Sequence, residues 1–186
     1  MPANITTAIV FIVNAVTSLY LLVLLLRFWM PLLGADFRNP LAQGILRLTS
    51  PVVIPLRRIL PAVGRMDTAT VLVAFIIQYV TLLILLLIIG QRAGFVPIAI
   101  TAIVKLVVLS INLFVYAIFI RIILSWLSQG AYNPATAIIT TLTEPILRPF
   151  RRIIPPLGGL DISPVFAVIL LFAATIVVNG LRPLGL

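Results

Sequence analysis

Four carboxylates, Asp36, Asp67, Glu144 and Asp161, face thirteen basic side chains in a sequence that has no histidine and no cysteine. Thiolate nucleophiles, imidazole bases, disulfides, His-ligated haem and nearly every transition-metal site fall away with those two residue types. No two carboxylates share a short motif, so a paired-carboxylate acid/base centre has no foundation either. The expectation is a protein that is not an enzyme and carries no cofactor and no metal.

What the charged residues do share is a spacing. Shifting the chain by 94 positions lays Arg27 on Arg121, Asn39-Pro40 on Asn133-Pro134, Arg57-Arg58 on Arg151-Arg152, and Asp67 on Asp161, without a gap. Such self-similarity is the signature of an internal duplication. It divides the chain into repeat 1 (1–93) and repeat 2 (94–186). The match is densest in TSPVVIPLRRILPAVGRMD, from Thr49 to Asp67, and TEPILRPFRRIIPPLGGLD, from Thr143 to Asp161.

Each of these segments reads as an amphipathic helical hairpin, over 40–64 and 134–158. Thr49 and Thr143 are expected as helix N-caps, with Pro51 and Pro145 in the first turn, where a missing N–H costs nothing. Pro55 and Pro149 should kink the helix and Pro61 and Pro155 should stop it. On a helical wheel Val52, Val53, Leu56, Ile59 and Leu60 share a face, as do Ile146, Leu147, Phe150, Ile153 and Ile154. Arg58 and Arg152 lie opposite, and Arg57 and Arg151 flank the stripe. Together with Arg148, these arginines are the candidates for contact with lipid phosphates. The other reading is that the stripe packs on the protein's own spans while the arginines set topology or cap helix ends.

Asp67 and Asp161 precede apolar segments, where a carboxylate can cap free N–H groups or pair with nearby arginines; this is favoured over ion coupling, which belongs at the midplane. Glu144 is expected to pair with Arg148 one turn on. Arg27 and Arg121 fall inside apolar segments and are intramembrane charge candidates, though snorkelling to the interface beside Trp29 and Trp126 is favoured. Asn14, Gln78, Asn112 and Asn179 also sit within apolar runs, where helix–helix hydrogen bonding is the ordinary role and a polar path the sharper one.

The elements that must position these groups follow from hydropathy. The chain is 62% hydrophobic and 9% charged, so lipid rather than water is its main solvent. Continuous apolar runs at 5–30, 68–89, 98–127 and 162–181 predict four transmembrane helices and an all-α membrane protein. With two spans per copy the repeats are expected to be parallel. The loops 31–67 and 128–160 then share a side and hold eight arginines, against Arg92, Lys105 and Arg182 on the other. The positive-inside rule makes those loops cytoplasmic and both termini periplasmic, in a multi-pass protein of a bacterial inner membrane. The first apolar run lacks a positive leader and is read as a retained span. Nucleic acid is disfavoured as a partner because the arginines adjoin spans.

The doubled P-x-R-R-[IL]-[LI]-P pattern followed by G-x-x-D before a span resembles the YggT family of small membrane proteins, which includes YlmG-type proteins. Asp161-Ile162-Ser163-Pro164 follows the family pattern closely, whereas Asp67-Thr68-Ala69-Thr70 departs from it. The resemblance implies links to osmotic and ion homeostasis, to nucleoid or division-related organisation and to cytochrome assembly, and it supplies no catalytic residue. Two functions follow as expectations. The first is a membrane scaffold or lipid-organising protein whose hairpins engage anionic lipid and whose spans pack with a second copy or a membrane-protein partner. The alternative is a subunit of an oligomeric ion channel or transporter, with Arg27, Arg121 or the amides lining a path.

Overall fold

A computed structural model describes residues 3–127, 133–154 and 161–185. Six helices are present among them: α1 (Ala3–Leu32), α2 (Pro40–Arg57), α3 (Thr68–Ile89), α4 (Phe95–Leu127), α5 (Pro134–Ile153) and α6 (Ser163–Asn179). The described residues contain no strand beyond one isolated bridge between Val63 and Met66.

Three of the helices, α1, α3 and α4, contain segments long and apolar enough to cross a membrane, whereas the apolar α6 has 17 residues. At 1.5 Å per residue α6 is about 26 Å long, just under a typical hydrocarbon core of about 30 Å. It ends two residues before the expected boundary because the chain leaves the helix at Gly180. Large apolar side chains face outward along these helices, Phe11 at 71% and Leu87 at 80% exposure, which suits surroundings of lipid.

Polar chemistry sets the helix ends. α1 closes on Gly34 (φ 76), where Ala35 N–H reaches Met30 C=O at 2.9 Å and Gly34 N–H reaches Pro31 C=O at 3.4 Å. That pair of bonds satisfies carbonyls that have no partner within the helix and needs the left-handed conformation glycine tolerates. α3 closes the same way on Gly90 (φ 70), with Gln91 N–H on Leu86 C=O at 2.9 Å.

The basic segments depart from the sequence expectation. α2 starts at Pro40, capped by Asn39, whose side chain accepts from Leu41 N–H at 2.9 Å; α5 starts at Pro134, capped by Asn133 at 2.9 Å from Ala135 N–H. Thr49 and Thr143 therefore lie inside helices and cap neither. The Asn-Pro pairs win because asparagine and proline together supply the acceptor and the preset φ of a first turn. The helices run through Pro51 and Pro55, and through Pro145 and Pro149. α2 ends at Arg57, four residues before Pro61. Beyond it comes a turn, not a second helix: Val63 and Met66 exchange backbone hydrogen bonds at 3.1 and 3.0 Å around Gly64 (φ 61). Pro155, like most of the second segment's return limb, lies outside the described residues.

Both copies bury the same three positions. Leu24, Val53 and Val73 bring α1, α2 and α3 together, and Ile118, Leu147 and Ala167, each 94 positions on, do so for α4, α5 and α6. The apolar stripe is thus partly spent on the protein's own helices, while Ile59 and Ile153 remain about 80% exposed at its end. Between the copies α1 packs on α4, and α2 touches α5 through Ala42, Ile138 and Leu142. Asn39 Nδ2 also donates to the Pro134 carbonyl at 2.8 Å.

Candidate functional site

Arg27 is 4% exposed, so its charge is held by the protein itself. From the last turns of α1, its Nη1 donates to Thr49 Oγ1 at 2.9 Å, Ser50 Oγ at 3.2 Å and the Leu46 carbonyl at 3.4 Å. Its Nε reaches Asp67 Oδ2 at 3.4 Å. The threonine is built for this: its hydroxyl donates to Ile45 C=O at 2.6 Å, which turns its lone pairs towards the guanidinium. Asp67 in turn accepts from Thr70 N–H at 3.4 Å at the start of α3 and lies 4.0 Å from Arg57 Nε. One arginine, one threonine and one aspartate thereby fasten α1, α2 and α3 together.

The second copy repeats the device with one added charge. Arg121 Nη1 donates to Thr143 Oγ1 at 2.8 Å, and that hydroxyl donates to Ile139 C=O at 2.7 Å. Where the first copy has Ser50, the second has Glu144, which accepts from Arg121 Nη2 at 3.0 Å and from Arg151 Nη1 at 3.1 Å. Arg151 Nε continues to Asp161 Oδ2 at 2.8 Å, and Asp161 Oδ1 accepts from Ser163 N–H at 3.0 Å. A continuous relay of alternating charge thus runs from α4 through α5 to the start of α6. Burial pushes the Glu144 carboxyl up, but the bond and charge of Arg121 and the charge and bond of Arg151 outweigh it, leaving its pKa below the ordinary value. Burial likewise raises Asp161, and contacts with Ser163 and Arg151 bring it down below its usual range.

Several expectations are corrected by this arrangement. Arg27 and Arg121 each bond a threonine of the next helix, whose hydroxyl is buried and within reach. Glu144 pairs with Arg121 and Arg151, not with Arg148: two helical turns bring Arg151 onto its face, and α4 delivers Arg121. Asp67 and Asp161 serve both expected roles, capping and arginine pairing. Ser163 begins α6 after Ile162, and its N–H donates to Asp161 Oδ1. Arg57 and Arg151 face carboxylates, while Arg58, Arg148 and Arg152 are exposed. Trp29 packs edge-on against Phe114 at 5.0 Å, between α1 and α4, whereas Trp126 is exposed. Of the intramembrane amides, Asn14 accepts from Lys105 Nζ at 3.3 Å, joining α1 to α4.

Two cavities adjoin the first clamp. One of about 510 Å³ lies beside Arg27 and Asp67, with Arg57, Arg65 and apolar side chains such as Phe37 and Leu46 also in its lining. An apolar one of about 770 Å³ opens among α1, α3 and α4. No group of three acidic residues able to hold a metal occurs among the described residues.

The duplicated clamp has a counterpart in known sequences. The signature of the CCB3/YggT family matches twice, over residues 6–88 and 100–182, offset by the same 94 positions that relate the clamps. The chain belongs to the CCB3/YggT family. YggT of Escherichia coli K12 is 37% identical over 163 residues, covering 87% of this chain and 84% of its own. An uncharacterized protein of Pseudomonas aeruginosa is 41% identical over 181 residues, 96% of this chain and 92% of its own. YlmG homolog protein 2 of the Arabidopsis thaliana chloroplast is 38% identical over 68 residues, 35% of this chain and 26% of its own. No solved structure matches. Membership of the CCB3/YggT family, with its long apolar helices, makes this a membrane protein with an internal repeat.

Proposed function

We propose that this CCB3/YggT protein is a non-enzymatic, lipid-organising scaffold of the inner membrane. In this reading α1, α3, α4 and α6 are four spans in two parallel repeats, α2 and α5 lie at the cytoplasmic surface, and both termini are periplasmic. The contact between α2 and α5, sealed by the Asn39 to Pro134 hydrogen bond, supports placing both basic helices at one end of the bundle.

The observation that carries the functional reading is a division among the arginines. Arg27, Arg57, Arg121 and Arg151 are engaged with the protein's own oxygens, whereas Arg58, Arg148 and Arg152 are exposed on α2 and α5 with no ion pair among the described residues. Each such cation near an anionic leaflet contributes about 1 kcal/mol, screened by salt. Exposed apolar neighbours such as Ile59 and Ile153 suit the acyl boundary at the same depth.

The test is the triple replacement of Arg58, Arg148 and Arg152 by glutamine, with lipids retained on the purified protein counted by native mass spectrometry. Preference for anionic over zwitterionic lipid should fall sharply in a folded variant, and lysine replacements should keep most of it because attraction to the leaflet needs only charge. A folded glutamine variant with wild-type preference would leave these arginines as topology signals alone.

A further inference from the structure

The two clamps differ in charge, and the difference is local. In the second copy two arginines, Arg121 and Arg151, are matched by two carboxylates, Glu144 and Asp161. In the first copy Ser50 stands where Glu144 does, and Arg65 stands where the second copy has Gly159. Three arginines, Arg27, Arg57 and Arg65, then line one cavity of about 510 Å³ with Asp67 as its one carboxylate. That volume falls within the range of about 300–1,000 Å³ usual for small-molecule sites.

We propose that this cavity binds a phosphate-bearing anion, whose charge takes the place that Glu144 fills in the second copy. Arg27 gives the site a fixed, buried cation, already oriented by Thr49, Ser50 and Asp67. Arg57, about half exposed and 4.0 Å from Asp67, is held loosely enough to turn to a second acceptor. Arg65 sits in the turn between Val63 and Met66, exposed and without an ion pair among the described residues. Guanidinium forks match the oxygens of a phosphate in geometry as well as charge. Gly34 and Gly64 contribute backbone and no side chain to the lining, which keeps the cavity open. The anion is the phosphate of a lipid headgroup or free phosphate, since the chemistry that recognises both is the same. The site does not rest on the surface reading above, because Arg58, Arg148 and Arg152 take no part in it.

The experiment places the full chain in dodecyl maltoside, a detergent without phosphate, and adds either inorganic phosphate or short-chain phosphatidic acid, with bound adducts counted by native mass spectrometry. Wild type should take up one phosphate-bearing molecule per chain. Ser50→Glu, which installs the second copy's carboxylate, and Arg65→Gly, which installs its glycine, should each weaken uptake by about tenfold or more, as expected for losing a charge-assisted hydrogen bond. Saturation by inorganic phosphate identifies a free anion as sufficient; uptake of phosphatidic acid alone identifies a headgroup. Arg65→Gln, which removes the charge but keeps a side chain of similar length, serves if Arg65→Gly is not monodisperse, and should weaken uptake likewise; wild-type uptake by a folded Arg65→Gln variant removes Arg65 from the site. Equal uptake by wild type and a folded Ser50→Glu variant, or no stoichiometric uptake of either probe, overturns the site.

Discussion

The Arg27 guanidinium and the Asp67 carboxylate, 40 residues apart in the chain, meet at 3.4 Å with side chains only 4% and 8% exposed. Breaking a buried pair by removing one partner typically costs about 3–5 kcal/mol, whereas replacing both by apolar groups is often neutral. Asp67→Asn keeps a capping oxygen for α3 but removes the charge, so it should lower thermal stability in detergent, as should Arg27→Met. The double variant Arg27→Met with Asp67→Asn should be less destabilised than the sum of the two single changes. Strict additivity in that cycle would mean that the pair is not coupled.

The threonines at the centre of each clamp give a second prediction. Thr49→Val and Thr143→Val keep the shape and delete the acceptor that receives Arg27 or Arg121 at 2.9 or 2.8 Å. Each should cost about 1–3 kcal/mol, because a buried donor loses its partner, and Thr→Ser at either position should restore much of it. Scanning calorimetry on the four variants reads this directly; valine variants as stable as wild type would remove the threonines from the clamp.

Acid should loosen the second copy. The folded pKa of Glu144 lies below its unfolded value, so its stabilisation is complete above the unfolded pKa of about 4.3 and is lost as the pH falls through the folded value. Glu144→Gln should therefore melt below wild type at neutral pH, by about 1 kcal/mol for a partly exposed pair, and the two should converge in acid. High salt should narrow the neutral-pH gap as well. A gap that stays constant from pH 7 to well below the carboxyl range would show that the charge of Glu144 contributes nothing.

Topology can be read with single cysteines, since the chain has none of its own. Cysteine at Ala62, beyond α2, should resist an impermeant thiol reagent in intact cells, and cysteine at Gln91, between α3 and α4, should react. The reverse pattern would turn the protein over in the membrane.

Much of the architecture was legible because it is written in one-dimensional signals. Apolar runs located α1, α3, α4 and α6 to within a few residues, and the 94-position shift paired the copies. The hairpin bounds begin at 40 and 134, as α2 and α5 do, but the cap differs: threonine before a proline looks like a cap, whereas Asn39-Pro40, ten residues before Thr49, carries the stronger signal. The clamps were hidden for a different reason. Arg27 finds Thr49 only once α1 packs against α2 around Leu24 and Val53, a relation no local pattern encodes. Glu144 has Arg148 at helical spacing, yet α4 brings Arg121 to it, and tertiary proximity decided the pairing. Arg27 and Asp67 each stand out in the sequence by residue type, but their meeting is a product of the tertiary fold.

The short link between α3 and α4 has a consequence for how the two halves can differ. A dimer of identical chains must carry every substitution twice, so a serine that vacates a charge on one side would vacate it on the other. Joining the halves in one polypeptide lifts that constraint. The second half can then keep Glu144 between Arg121 and Arg151 while the first half carries Ser50 at the same position.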